Sequence, residues 1–580
     1  MLHRLKPYWQ ALLDVFKYQI VTKILIAVWI YLLGRLFQVL LVSTGRVAVT
    51  SGDFKFIFTS WQGILIILIG LFSLFIYVAF DINTKIVMSR SMLLGDGTSL
   101  RESVKEGFLS IGKFMNVRGI GVILYIALIA PLLGFGMLIS LTEGFYIPTF
   151  ITSVIESTPL YLIGVTVLLT AFLVVGIANL YVLHGVVLDK LPLKEAGLQS
   201  KKLMKVHWKD YLKQNFLYIL VTAVLLAAVV AIFIMLPMKI VYTLPLQDGT
   251  RRILTILFMT AGAVISLFAG LFATPLYIMK MTQLFYSYKT GELLLFEERE
   301  KRKHPFVLTG LAAVVVGIIV VTFVMNRYFD EVFPLECNVG IVAHRAGGNE
   351  GPENTVAGLE AAYGFGAMGS EIDIQRTNDG FYVLNHDSTF ARVAGDDRTP
   401  EEMTLEEVKA LKVEGESVPT FEETLQACKG KLILFTELKG NTADRQMADD
   451  AVRIIKEYGM EEECVLISLK YDLINYIEST YPEMHTGFLT FASFGNTAAL
   501  NCDYLGLEEE SATSDAIQAI HNQGKKALVW TSNERESQRH FLCSQADGLI
   551  TDNVKQAAEM KTELARRTDL QRIIDRFFGL

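Results

Sequence analysis

The chain changes its pattern near residue 340. Before that point, seven long apolar runs follow one another, at roughly 24–43, 57–80, 119–141, 158–183, 216–236, 254–279 and 306–326. Each reaches the ~20 residues that a helix needs to cross a bilayer core. Beyond residue 340, short apolar runs alternate with polar turns and amphipathic stretches. The runs at 341–343, 369–374, 432–435, 465–467, 485–489, 504–507, 527–530 and 548–550 predict strands, and stretches such as 444–458 and 514–523 predict helices between them. Eight such repeats over roughly 220 residues suit an α/β TIM barrel, (β/α)8, with a doubly wound open sheet as the alternative. The expected organisation is an α-helical transmembrane domain over 1–330, a linker over 331–340, a barrel over 341–557 and an amphipathic C-terminal helix over 558–580.

Charge divides at the same place. Up to Gly340 there are 30 Lys and Arg against 19 Asp and Glu, and from Ile341 onward 23 against 41. Within the first part, segments 1–23, 81–117, 184–215 and 280–305 carry 22 Lys and Arg, whereas 44–56, 142–157 and 237–253 carry 5. Basic loops stay in the cytoplasm, so the N-terminus is expected inside. Seven spans then place the acidic second part outside, as a multi-pass protein of the cell membrane. The segments 99–103 and 192–196 look alike, each within a basic amphipathic stretch that leads into a span, which fits either a weak internal repeat or chance similarity. Arg35 falls inside the first span, and Pro131 and Pro275 are expected to kink theirs. The five cysteines all lie at or beyond residue 337, with no CxxC, and nothing in their spacing selects a disulfide pair.

Residues 341–387 concentrate the chemistry. The first strand delivers His344 and Arg345 at its C-terminal end, and Gly347, Gly348 and Gly351 form a loop where backbone can approach a ligand. Pro352 is expected to open a helix running to about Phe365. Glu371 and Asp373 are one residue apart on a strand, so their side chains share a face. A further short strand, 381–384, ends at His386 and Asp387, and Glu437 and Lys439 end another. Three carboxylates at strand ends suit a hard divalent cation, Mg2+ or Ca2+. His344 and His386 can serve as acid and base, while Arg345 and Lys439 can hold phosphoryl oxygens. Together these groups suit phosphodiester hydrolysis.

The same residues resemble the glycerophosphodiester phosphodiesterase family. The matching pieces are His344-Arg345, Pro352-Glu353-Asn354-Thr355, Gly366-Ala367, Glu371-x-Asp373, Thr377-x-Asp379-Gly380, His386-Asp387, Val418-Pro419-Thr420, Glu437-x-Lys439, Val529-Trp530-Thr531 and Asp547-Gly548 through Thr551-Asp552. The resemblance covers about 341–557, and the first part of the chain is similar to the membrane-anchored bacterial branch. It implies a TIM barrel that cleaves glycerophosphodiesters to glycerol 3-phosphate and an alcohol with a divalent cation. It assigns His344 and His386 to acid–base catalysis, Glu371, Asp373 and Glu437 to the metal, and Arg345 and Lys439 to phosphate. Glu353 is either part of the site or a support for its loop, Trp530 lines the pocket, and Phe390 either lines it or packs. Ala346 stands where the family often has glycine, a change expected to spare the loop.

Expected partners are a glycerophosphodiester or lipid-derived substrate and the membrane, not nucleic acid. Two other functions stay open: a lysophospholipase D-like or polyglycerophosphate (teichoic-acid-type) hydrolase, and a binding or transport role for the membrane domain. The last requires a polar cavity among the spans, for which the sequence offers only Arg35 and a few Ser and Thr.

Overall fold

The computed structural model describes residues 6–51, 54–96, 98–129, 149–292, 306–335 and 337–578. These divide into two compact units, one of residues up to Leu36 and Ile64–Arg327, the other of Phe37–Gly63 and Tyr328–Leu580.

The first unit is helical. Six helices are long and apolar enough to cross a membrane, Leu12–Val42, Trp61–Leu94, Pro159–Val187, Leu193–Thr243, Asp248–Thr290 and Thr309–Arg327. A seventh candidate is a pair, Leu100–Phe114 and Val117–Leu128, bent by 120°. The protein is therefore a multi-pass membrane protein. Several helices outrun their apolar stretches, because polar ends continue the same helix: the basic stretch after Pro192 and the span that follows are continuous from Leu193 to Val230. The corresponding stretch after Ser99 is separate. Ser99 and Glu102 cap Leu100–Ser110 reciprocally, and Asn116 caps a new helix by accepting from the Gly119 N–H. Pro275 sits inside the unbroken Asp248–Thr290 helix. Pro131 lies outside the described residues.

The second unit is the barrel. In chain order its strands are β1 Ala48–Thr50, β2 Gly340–Ala343, β3 Gly369–Arg376, β4 Tyr382–Leu384, β5 Lys412–Val413, β6 Glu416–Ser417, β7 Ile433–Leu438, β8 Cys464–Ser468, β9 His485–Thr490, β10 Ser493–Gly495, β11 Tyr504–Glu508, β12 Lys526–Trp530 and β13 Gly548–Thr551. The parallel order β2-β13-β12-β11-β9-β8-β7-β3 closes through a β2–β3 pairing. This is the eight-stranded TIM barrel, and the open sheet is excluded. Val342, Phe435, Val465, Leu489, Leu528 and Ile550 fill its interior, while a larger apolar layer packs the outer helices against the strands. β4 is not a ring strand: it pairs antiparallel with the far end of β3, Ile374 opposite Leu384.

Three local expectations are corrected. Pro352 does not begin a helix, which runs Val356–Gly364 with Thr355 accepting from the Gly358 N–H. The glycine loop approaches the protein's own backbone: a Cβ at Gly347 would sit 2.7 Å from the Gly358 Cα, and one at Gly348 would strike the Asp552 carbonyl. The tail forms two helices, Val554–Leu564 and Asp569–Phe578, where one was expected. The second is fixed to the entry segment of its own unit, with Arg572 Nη2 donating to Asp330 Oδ1 at 2.6 Å and Phe577 stacked on Phe333.

Two features of this unit have no counterpart in the sequence reading. β1, between the first two apolar runs, pairs antiparallel with β10, directly beyond the C-terminal end of β9. Cys337 and Cys543 bring their sulfurs to 3.9 Å, with all five cysteines free.

Candidate active site

Strand register builds the carboxylate cluster. Asp373 lies opposite Glu437 in the β3–β7 pair, and Glu371 lies opposite Phe435. Side chains two apart on a strand share a face, so Phe435 fills the apolar interior while Glu437 stands one layer nearer the C-terminal mouth. Glu371, Asp373 and Glu437 are all buried, and one oxygen from each lies within 4.8 Å of the others. An all-oxygen, three-carboxylate set fits a hard divalent cation. The surrounding charge points the same way. Lys439 Nζ donates to Asp373 Oδ1 at 2.8 Å and to Glu437 Oε2 at 3.0 Å, yet one ammonium cannot neutralise three carboxylates. Burial, reinforced by Asp373 and Glu437, pushes Glu371 far above the ordinary carboxyl range. Burial also raises Glu437. For Asp373 burial is outweighed by Lys439, His386 and Asn354, which hold it below the ordinary range. The cluster thus resists holding three negative charges by itself, and a dication would let all three carboxylates ionise.

Both histidines are anchored through Nδ1 to a carboxylate. His344 Nδ1 donates to Asp552 Oδ1 at 2.7 Å, leaving Nε2 4.0 Å from Glu371 Oε2. His386 Nδ1 donates to Asp387 Oδ1 at 2.8 Å, and its Nε2 accepts from Arg345 Nη2 at 2.9 Å. That pattern is the neutral ring with its lone pair on Nε2. Burial lowers His386 below the ordinary imidazole range, helped by Lys439 and Arg345 and opposed by Asp373. Asp387 is lowered to about 2: burial opposes its charge, but Arg392 and His386 outweigh it.

Arg345 joins the parts. Its backbone N–H donates to Glu371 Oε2 at 2.7 Å, and its Nη1 donates to Glu353 Oε1 at 3.2 Å. Glu353 also accepts both arms of Arg392, at 2.7 Å each. Arg345 and Ala346 both have positive φ, 50° and 75°. The loop therefore takes a left-handed turn that glycine would adopt more readily than Ala346, so the Ala346 change is not neutral for the backbone.

The structure thus links His344, Arg345, Glu353, Glu371, Asp373, His386, Glu437 and Lys439 through one network. Trp530 ends β12 and packs on the barrel interior, and its buried Nε1 has no partner among the described residues. Phe390 is fully buried among Val383, Met403, Val408, Val413 and Val418, so it packs and does not line the site. Four further residues support the site: three lie within the matching motifs, and Asn533 lies just beyond Val529-Trp530-Thr531. Asp552 and Asp387 orient the histidines, Asn354 Nδ2 donates to Asp373 Oδ2 at 2.8 Å, and Asn533 Nδ2 donates to Asp552 Oδ2 at 2.6 Å. The adjacency of His386 and Asp387 was a readable signal. Asp552 and Asn533 are distant in sequence, and only barrel closure brings them to His344.

The chain belongs to the glycerophosphoryl diester phosphodiesterase family: the model for the membrane domain of glycerophosphoryl diester phosphodiesterase matches residues 3–324, and that for the glycerophosphoryl diester phosphodiesterase family matches residues 344–556. A glycerophosphodiester phosphodiesterase of Caldanaerobacter subterraneus subsp. tengcongensis is 28% identical over 227 residues, spanning 37% of this chain and 93% of its own length. Mouse glycerophosphodiester phosphodiesterase 1 is 31% identical over 160 residues, 26% of this chain and 47% of its own. Among solved structures, an Oleispira antarctica phosphodiesterase in complex with the product sn-glycerol-3-phosphate aligns with a TM-score of 0.36 and 22% identity, over 39% of this chain and 96% of that one.

Proposed function

We propose that the barrel hydrolyses glycerophosphodiesters to glycerol 3-phosphate and an alcohol, with a divalent cation held by Glu371, Asp373 and Glu437. The observation that carries this reading is the placement of two carboxylate-anchored histidines beside a buried three-carboxylate cluster. Bound there, Mg2+ or Ca2+ supplies Lewis-acid polarisation of the phosphoryl oxygens. Arg345 and Lys439 hold the phosphate and offset its developing charge. The two histidines divide the proton work, one taking a proton from the attacking oxygen and the other giving one to the departing alcohol. Each Nδ1–H is fixed on a carboxylate, so each Nε2 is the working atom. Glu353 acts at one remove, holding Arg345 and Arg392 in place, and Trp530 borders the pocket.

The Lys and Arg asymmetry of the inter-span segments supports a cytoplasmic N-terminus and a barrel on the outer face of the membrane. Substrates produced at that surface follow: deacylated phospholipids, lysophospholipids or polyglycerophosphate polymers. One observation favours a substrate with a hydrocarbon tail. Phe54 packs against Phe491 and Phe494 beyond the C-terminal end of β9, and Phe494 is 54% exposed. Initial rates on glycerophosphocholine, glycerophosphoglycerol, lysophosphatidylcholine and polyglycerophosphate test the reading. A lysolipid preference that falls in Phe494→Ser supports the tail-binding reading. Equal loss on soluble and lipid substrates in that variant contradicts it.

A further inference from the structure

Two cysteines for which sequence spacing selects no pairing meet inside the barrel unit. Cys337 lies in the stretch of chain that enters β2, and Cys543 caps the C-terminal end of the helix Arg535–Leu542. Their sulfurs stand 3.9 Å apart in an S–H···S contact, across 206 residues of sequence. Cys337 is buried, and Cys543 is partly exposed. The remaining three cysteines have a different character. Cys428, Cys464 and Cys502 are buried, and burial pushes each of these thiols up to about 12.

The surroundings of the pair favour a thiolate, the nucleophile of disulfide exchange. Arg567 Nη2 lies 3.7 Å from Cys337 Sγ. The Cys543 thiol, with Arg567 and Lys561 behind it, brings Cys337 down to about 7 against the opposing effect of burial. Cys543 is raised by the same sulfur–sulfur hydrogen bond and by burial, so the pair shares one proton. The location gives a bond between them a structural consequence. The chain around Cys337 is tied to the tail by three side chains. Arg572 Nε donates to the Phe333 carbonyl at 2.7 Å, Arg567 Nη2 to the Pro334 carbonyl at 3.0 Å, and Lys561 Nζ to the Val339 carbonyl at 2.7 Å. A Cys337–Cys543 bond fastens the same stretch to a different partner, the helix that connects β12 to β13.

We propose that Cys337 and Cys543 form an intramolecular disulfide that staples the chain entering the barrel to the helix between β12 and β13. The oxidant is an external disulfide, of a small thiol or of a protein. One thiolate of the pair attacks a sulfur of that disulfide and releases its first thiol. The second protein sulfur then attacks the mixed disulfide at the protein sulfur and releases the other. Two protein thiols become one S–S bond, their two protons and two electrons leaving with the external disulfide as two thiols. Cys543, the more exposed of the two, is where the oxidant is met, and Cys337 resolves the adduct. An oxidising surrounding is available on the outer face of the membrane, so the bond's formation in cells rests on the outward placement argued above. Its formation in solution depends neither on that placement nor on hydrolysis.

The test uses the full-length protein, purified in detergent under reductant and then transferred to oxidised glutathione. Remaining thiols are alkylated in denaturant, and the protein is digested without reductant for mass spectrometry. The expected product is one cross-linked peptide pair joining Cys337 to Cys543, with Cys428, Cys464 and Cys502 alkylated. The apparent midpoint of thermal unfolding is expected to rise by roughly 5–10 °C, because the bond closes a long loop of the unfolded chain, and dithiothreitol is expected to reverse the rise. Cys337→Ser removes the resolving thiol and is expected to leave glutathione on Cys543, with no rise in the midpoint. Both thiols remaining free in the unaltered protein would overturn the proposal, as would glutathione held stably on Cys543 there. A cross-link that leaves the midpoint unchanged would equally overturn it, because the bond would then staple nothing.

Discussion

His344 donates from Nδ1 to Asp552 Oδ1 at 2.7 Å, a bond spanning 208 residues of sequence. β2 and β13 are neighbours in the closed ring, with Ala343 opposite Thr551, so the residue following each strand is delivered to the same point on the rim. The bond fixes which nitrogen faces the carboxylate cluster. Asn533 in turn holds Asp552, through its side chain to the carboxylate and through the Asp552 N–H.

Asp552→Asn therefore separates orientation from binding. The amide can offer its own N–H to Nδ1 and so favour the wrong tautomer. We expect kcat to fall by about 100-fold or more, the scale of a lost acid–base contribution, with metal content and fold unchanged. Steady-state kinetics beside metal analysis checks this. An unchanged kcat would remove Asp552 from the account.

Lys439 and the carboxylates make opposite predictions for metal affinity. Asp373→Asn and Glu437→Gln remove ligands and should leave the protein with substoichiometric Mg2+ or Ca2+ in calorimetric titration. Lys439→Met removes a cation that lies within hydrogen-bonding reach of two of the same ligands. It should tighten metal binding by roughly tenfold, a modest part of the coulombic interaction at that separation, while kcat falls. Weaker metal binding in Lys439→Met would mean that the lysine orders the cluster and does not compete with the ion.

His386 carries a pH prediction. Burial depresses it relative to the ordinary imidazole, whose value is ~6.5. A lowered value means that the neutral ring persists as pH falls through 6.5 and protonates only below it. A histidine NMR titration of the full-length protein, assigned by loss of the signal in His386→Gln, should place its midpoint under 6.5. A midpoint at or above that value would contradict the buried, neutral assignment.

The β1–β10 pairing predicts protection from hydrogen exchange. The Asn496 N–H donates to the Val47 carbonyl at 2.9 Å, and Val49 pairs with Phe494 and is buried. Amides over 493–496 should exchange slowly in the intact protein and at open-loop rates in Val49→Pro, which cannot support the strand. Fast exchange in the unmodified chain would show that the pairing does not persist.

How much of this was legible depended on whether a feature is local. All eight ring strands announce themselves as short apolar runs, and Glu371 with Asp373 follows from the two-residue period of a strand. The Glu437–Asp373 juxtaposition needs the β3–β7 register, which sequence alone does not fix. β1 was invisible for a different reason: three residues between two spans have no periodicity, and their partner lies more than 440 positions away. Pro352 was misread because Thr355, three residues later, is the stronger cap.

Release of glycerol 3-phosphate from glycerophosphoglycerol by the purified full-length protein, with and without EDTA and beside His344→Ala, decides whether the barrel is a metal-dependent phosphodiesterase. We expect release that EDTA abolishes, that added Mg2+ or Ca2+ restores, and that His344→Ala reduces to background. Release that survives both EDTA and His344→Ala would contradict the account, as would no release with either ion.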